Sequence, residues 1–253
     1  MEKENFSPKE VLSMTLANGV NKTKLKTRVQ FFLGVLAGMY IAFGGVSSTI
    51  VNNLGKGFNP QITKILVGLT FTIGIVAVVV GGAELFTGNI LMLGATLDKR
   101  TKFGNLLYNW LKVYLYNFIG ALLIVAIVFY SNILSDGTKE LFVNIYNAKT
   151  SQGFLELFIK GIGCNILVCL SVWLSTASKE ITAKVFTSAF PVAIFIICGF
   201  EHCVANMFYL PIAMMISGTC DMAAMFHNLI PVTLGNIVGG MILIIFYYYA
   251  YKE

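Results

Sequence analysis

Two apolar stretches of this chain, residues 62–97 and 185–218, are too long for one membrane crossing, and polar residues interrupt both. A straight helical span needs about 20 residues. The first interruption reads Gly81-Gly82-Ala83-Glu84-Leu85-Phe86-Thr87-Gly88-Asn89, the second Gly199-Phe200-Glu201-His202-Cys203-Val204-Ala205-Asn206. Backbone that leaves the helix at membrane depth must be surrounded by protein or line a water-filled cavity. Four further apolar stretches, 29–51, 105–134, 154–177 and 229–250, each fit one crossing. The expected fold is an all-α membrane protein with six transmembrane helices, helices 2 and 5 broken. Only 12 % of the residues are charged, against about 25 % in a soluble domain, and mean hydropathy is +0.77. That excludes an ordinary soluble enzyme, a disordered chain and a nucleic-acid-binding tail protein.

The basic residues set the expected orientation. Lys3, Lys9, Lys22, Lys24, Lys26 and Arg28 precede the first stretch; Lys99, Arg100 and Lys102 follow the second; Lys179 and Lys184 follow the fourth; Lys252 follows the sixth. The alternate loops hold only Lys56, Lys64, Lys139 and Lys149. The positive-inside rule then puts both termini in the cytoplasm and the chain in the cell membrane. Most of this basic excess reads as a collar that fixes orientation and has no bearing on substrate. Residues 1–28 lack the apolar run and small-residue site of a signal peptide. Ser7-Pro8-Lys9-Glu10 is a helix-start pattern with a cap, a first-turn proline and a capping box. Gly19 is expected to end that helix, which is expected to be amphipathic and to lie at the membrane surface or against the bundle, a solvated cytosolic arm being the other reading. The expected division is a basic arm over 1–28 and one channel domain over 29–253, with halves of about 29–134 and 154–250.

The interruptions repeat. Gly82, Glu84 and Asn89 match Gly199, Glu201 and Asn206 at a constant offset of 117, and Asn117-Phe118-Ile119-Gly120-Ala121 resembles Asn236-Ile237-Val238-Gly239-Gly240 at an offset of 119. The first and fourth stretches show no clear match. Three crossings per half make this an inverted repeat, whose interrupted segments point to a substrate pathway. Glu84 and Glu201 read first as structural, accepting hydrogen bonds at freed helix ends, with Asn89 and Asn206 as polar partners; contact with a permeating species is the second reading. His202 is the histidine inside a break and reads as pathway-facing, while His227 reads as a loop residue. Thr87 offers a hydroxyl where a half-helix begins, and helix N-termini favour anions. Lys160 reads as a snorkelling side chain paired with Glu156 one turn earlier. The five cysteines read as small hydrophobes. No cofactor motif is present, and His202, Cys203, Cys220 and His227 have no recognisable metal-ligand spacing. No enzyme signature such as His-Glu-x-x-His occurs.

At these residues the chain resembles the formate/nitrite transporter family of small-anion channels. The likeness runs through Gly82–Asn89, Cys164–Trp173, Pro191–Phe195, Gly199–Phe208 and Asn228–Gly240, and covers nearly the whole chain from about residue 25. It implies an aquaporin-like inverted repeat, a homopentamer with one pore per protomer, and two apolar constrictions around a central chamber. By that resemblance Phe71, Ile75 and Phe195 match narrow-pore positions. Ile75 stands where leucine is common. Leu85, Phe86 and Thr87 match the loop that shapes the cytoplasmic constriction, and His202 matches the central histidine. Lys149, which reads from sequence as an ordinary loop charge, matches a basic residue near the chamber, and Asn165 its neighbour on the fourth helix. The whole sequence resembles the hydrosulfide-channel branch most, and the Thr87-Gly88-Asn89 loop adds to that. Formate and nitrite remain possible cargo. The implied partners are further copies of the chain, small inorganic or organic anions and membrane lipid, with no nucleic acid. Two other readings stand beside the anion channel. One is a proton-coupled secondary transporter of the same anions. The other is an aquaporin-like neutral-solute channel, although no Asn-Pro-Ala signature occurs.

Overall fold

The computed structural model describes residues 5–252; Lys3 of the basic collar lies outside the described residues. Among the described residues, six helical stretches are long and apolar enough to cross a membrane, Pro60–Gly81 counting as one, and two shorter apolar ones complete the broken spans. The order is α1 (Pro8–Thr23), α2 (Thr27–Leu54), α3 (Pro60–Phe71), α4 (Ile73–Gly81), α5 (Phe86–Asn89), a 3₁₀ turn (Ile90–Met92), α6 (Leu93–Leu97), α7 (Phe103–Tyr130), α8 (Asp136–Thr150), α9 (Phe154–Ala177), α10 (Ile181–Cys198), α11 (Cys203–Ser217) and α12 (Met222–Tyr251).

The N-terminal capping box forms as the sequence predicts. Ser7 Oγ accepts from Glu10 N, Glu10 Oε2 accepts from Ser7 N at 2.7 Å, and Pro8 opens the helix. Gly19 does not end α1, which continues to Thr23. The glycine is there for close packing, because a β-carbon on it would sit 2.9 Å from Ala95 Cβ. The helix lies against the bundle, on α6, α9 and α12. Both described ends lie on this face. Phe6 N donates to Ala177 O at 3.0 Å. Asp98 accepts from Lys252 and from Tyr248 Oη, and the Lys252 ammonium holds its carboxyl below the usual carboxylate range.

Each broken span stops in the same way. Gly82 and Gly199 cap the helices before them in the left-handed region, at φ +77° and +76°, a conformation that costs a side chain energy and glycine little. The chain then turns back. Glu84 N donates to Leu33 O at 3.1 Å, and Glu201 N to Lys160 O at 3.3 Å. Helix resumes at Phe86 and Cys203, so the irregular stretches are shorter than the polar strings, and Asn89 and Asn206 are helical.

One asparagine braces each break. Asn117 Oδ1 accepts from Phe86 N at 2.9 Å while its Nδ2 donates to Gly34 O (2.8 Å) and Glu84 O (2.9 Å). Asn236 repeats this with Cys203 N (2.9 Å), Gly161 O (2.8 Å) and Glu201 O (2.9 Å). These contacts extend the repeat to the first and fourth stretches, where sequence shows no match. Gly34 and Gly161 correspond at an offset of 127, as do Lys22 and Lys149.

Two further sequence expectations need correction. Residues 136–150 are not loop but helix α8, with Ser135 Oγ accepting from Thr138 N. His227 is not in a loop either. Asp221 caps α12 well before the apolar run begins, which places His227 inside that helix, 2.9 Å from Gln152 O through Nε2. Lys160 behaves as predicted, donating to Glu156 at 2.6 Å and to Gln152 at 2.8 Å.

Small residues let the crossing helices touch. A β-carbon on Gly38 would fall 2.0 Å from Asn117 O, and one on Gly235 2.1 Å from Phe158 O. Such contacts are how membrane helices associate without a hydrophobic driving force. Gly38→Val and Gly235→Val should each lower detergent-solubilised stability by more than about 3 kcal/mol through overpacking. Gly104→Ala, where no described residue lies within 4 Å, should be neutral. Thermal unfolding followed by tryptophan fluorescence checks the contrast.

Candidate functional site

Two polar clusters flank the breaks. In the first, Lys22 Nζ donates to Glu84 Oε1 at 2.5 Å and to Asn89 Oδ1 at 2.9 Å. Asn89 Nδ2 donates to Glu84 Oε2 (2.7 Å) and to Asn109 Oδ1 (3.0 Å), and Asn109 grips Lys22 O. In the second, Lys149 Nζ donates to both oxygens of Glu201 at 2.8 Å. Asn206 Nδ2 donates to Glu201 Oε2 and Asn228 Oδ1, both at 2.7 Å, and Asn228 grips Lys149 O. The carboxylates are 7 % and 6 % exposed, and their lysines 28 % and 15 %. A carboxylate this buried requires a partner, so each lysine holds an elbow of the broken helix. Lys22 is therefore more than an orientation charge. Lys149 is not a loop charge but lies in the last turn of α8.

Between the clusters the two half-helices begin face to face. His202 is the N-cap of α11, and its Nδ1 accepts from Ala205 N at 3.1 Å. A nitrogen that accepts carries no hydrogen, so the ring hydrogen sits on Nε2. Nε2 lies 2.9 Å from Thr87 Oγ1 and donates to it. The Thr87 hydroxyl hydrogen is left for an acceptor that no described residue supplies. Asn165 Nδ2 donates to Thr87 O (3.2 Å) and Asn236 O (2.6 Å), and Cys169 Sγ donates to Thr87 O. The N-terminal ends of α5 and α11 thus bring partial positive charge to one buried point.

Apolar rings stand beside that point. Phe195 stacks on the His202 ring at 5.8 Å and meets Phe71 edge-on, also at 5.8 Å. Ile75 follows one turn after Phe71, and both are buried, as are Leu85 and Phe86. Phe86 packs its ring against Tyr114 at 5.0 Å. On the side of α1 a cavity of about 580 Å³ opens, lined by Leu85, Glu84, Lys22, Val172, Lys179 and Lys184 among others. Lys22, Asn109, Tyr114, Val172 and Lys184 escape the sequence reading as site candidates. For Lys22 the signal was its match to Lys149 at an offset of 127, and for Asn109 its match to Asn228 at 119.

An inverted repeat of broken helices, with charged elbows around a buried donor pair, defines a multi-pass membrane channel or transporter. The sequence model described as formate/nitrite transporter matches residues 9–250, and the chain belongs to that family, one of channels and transporters rather than enzymes. It is 35 % identical to the "Probable formate transporter" of Methanothermobacter thermautotrophicus, over 98 % of this chain and 97 % of that protein. It is also 35 % identical to the "Formate channel FocA" of Haemophilus influenzae, over 94 % and 92 %. A solved "Pentameric formate channel with formate bound" superposes with a TM-score of 0.79 at 32 % identity, covering 90 % of this chain and 98 % of that one. An "FNT family ion channel" gives 0.83 at 27 % identity, covering 95 % and 98 %.

The first cluster makes a quantitative prediction. Lys22→Ala leaves the Glu84 carboxylate buried with too few donors and should cost about 3 kcal/mol of stability. The double variant Lys22→Met with Glu84→Gln should recover at least half of that loss. Thermal melts of native protein, Lys22→Met, Glu84→Gln and the double variant close a double-mutant cycle and give the coupling directly.

Proposed function

We propose that the chain conducts small monovalent anions of weak acids, formate foremost, through a pore in each protomer of a homopentamer. The observation that carries the reading is the Thr87–His202 pair at the junction of two helix N-termini. It offers a hydroxyl donor and partial positive charge in a place that apolar side chains shield from water. The names of the relatives and the pentameric neighbour support formate and the fivefold assembly. The basic collar supports cytoplasmic termini. The channel unit is residues 29–253, and the arm of residues 1–28 contributes Lys22.

On this reading Lys22 and Lys149 raise the anion concentration at the two mouths. An anion then loses water at the apolar narrowings formed by Phe71, Ile75, Phe195, Leu85 and Phe86, a step that is costly unless new donors replace the water. The Thr87 hydroxyl and the half-helix ends supply them. Asn165 holds the Thr87 carbonyl and keeps the hydroxyl in place. His202 fixes Thr87 by giving it the Nε2 hydrogen. Lending a proton to the cargo instead would require a second ring hydrogen on Nδ1, which would expel the Ala205 N–H bond. The arrangement therefore favours passage of the charged anion over a proton loan, and a channel over proton-coupled transport. Hydrosulfide and nitrite share formate's charge and small size. Hydrosulfide is the finer proposal from sequence, and no contact at the site singles it out.

His202→Asn keeps an acceptor for Ala205 N, since asparagine is a good N-cap, but is too short to reach Thr87. Formate flux into proteoliposomes should fall at least about tenfold, the effect of losing one strong hydrogen bond, with folding unchanged. Undiminished and equally selective flux sinks the role of His202. A panel of formate, nitrite, hydrosulfide, glycerol and water at several pH values tests the class. Anions should pass faster than glycerol, and uptake that requires a proton gradient points to the coupled transporter.

A further inference from the structure

The two polar clusters match residue for residue, Lys22, Glu84, Asn89 and Asn109 against Lys149, Glu201, Asn206 and Asn228, but the half-helices beyond them differ. The 117-residue offset that aligns Glu84 with Glu201 and Asn89 with Asn206 aligns Met92 with Tyr209. At the same place the lysine geometry differs. Lys22 shares its hydrogens between Glu84 Oε1 and Asn89 Oδ1. Lys149 gives two hydrogens to Glu201 and sits 5.5 Å from the centre of the Tyr209 ring. Asn206 Oδ1, the counterpart of the oxygen that Lys22 satisfies, is buried and receives no donor among the described residues. The amide cannot be turned round to relieve it. Its Nδ2 faces two acceptors, Glu201 Oε2 and Asn228 Oδ1, and Asn228 is fixed in turn by donating to Lys149 O.

We propose that Tyr209 is a positioning residue that draws the Lys149 ammonium over its ring, so that one Lys149 N–H has no oxygen acceptor among the described residues and stays available to a permeating anion. This rests on the anion-channel reading above. An ammonium has three hydrogens; Glu201 takes two, and a ring face holds the cation without taking the third as an oxygen would. The ring is well fixed. Its hydroxyl lies 3.3 Å from Ser48 Oγ, and Phe142 of α8 packs at 6.1 Å. Without the ring, Lys149 has a vacant oxygen close by and adopts the Lys22 arrangement.

Tyr209→Met removes the ring and puts at position 209 the residue that the first repeat carries at the matching offset. In a cryo-electron microscopy structure of that variant, Lys149 Nζ should lie within hydrogen-bonding distance of Asn206 Oδ1. The half-saturating formate concentration should rise about threefold or more, with the maximal rate within about twofold of native. Tyr209→Phe keeps the ring and should leave both the lysine position and the half-saturating concentration native. The proposal is overturned if Tyr209→Met leaves Lys149 on Glu201 alone, or if Tyr209→Phe moves both readouts as far. Native protein supplies a test that needs no variant to fold. Selectively labelled Lys149 should show side-chain proton resonances shifted upfield by the ring, and the absence of that shift also overturns the proposal. If native protein passes no small anion, the functional reading fails, while the structural and resonance tests still decide the place of Tyr209.

Discussion

Everything in this structure depends on two asparagines that hydrogen-bond the main chain where it breaks. An unpaired backbone group in a hydrocarbon surrounding costs several kcal/mol. Asn117 and Asn236 each satisfy three such groups, one N–H and two carbonyls. That makes a short non-helical turn tolerable inside each broken span. It also fixes where the helix restarts. The N–H groups that the asparagines hold, on Phe86 and Cys203, are the first of α5 and α11. Thr87 and His202 stand beside them and are brought to 2.9 Å. The donor pair at the centre is thus a consequence of how the breaks are braced.

The charged clusters do a second job at the same elbows. A buried ion pair is weak evidence for net stability but expensive to half-remove. Its value here is placement. Glu84 and Glu201 each bond an asparagine in the half-helix and a lysine from outside the broken span. The first of those lysines comes from α1 and the second from α8. A helix on either face of the bundle is thereby tied to the break it covers.

Much of this was legible in the sequence, and the reasons are physical. A glutamate two residues after a glycine in an apolar run is costly enough to be conspicuous, and two copies at one offset expose the repeat. Asn117 and Asn236 stood out because their neighbouring glycines repeat too. Lys22 did not stand out, because it lies among collar residues and reaches Glu84 across 62 positions. The match of α2 to α9 rests on backbone carbonyls, which leave no trace in residue type beyond Gly34 and Gly161. The helix α8 is too polar to register as a span and reads as loop. Gly19 looked like a terminator because close packing against Ala95 cannot be read from one helix alone.

The hydrogen on His202 is where the account is most exposed. Its role follows from an Nδ1 that accepts from Ala205 N and an Nε2 that donates to Thr87. Solid-state nitrogen-15 NMR of histidine-labelled protein in lipid bilayers reads the state of both ring nitrogens. For His202, Nδ1 should be bare and Nε2 protonated, within hydrogen-bonding distance of the threonine hydroxyl. A proton on Nδ1 of His202 at neutral pH would contradict it, and with it the passage of anions on donors alone.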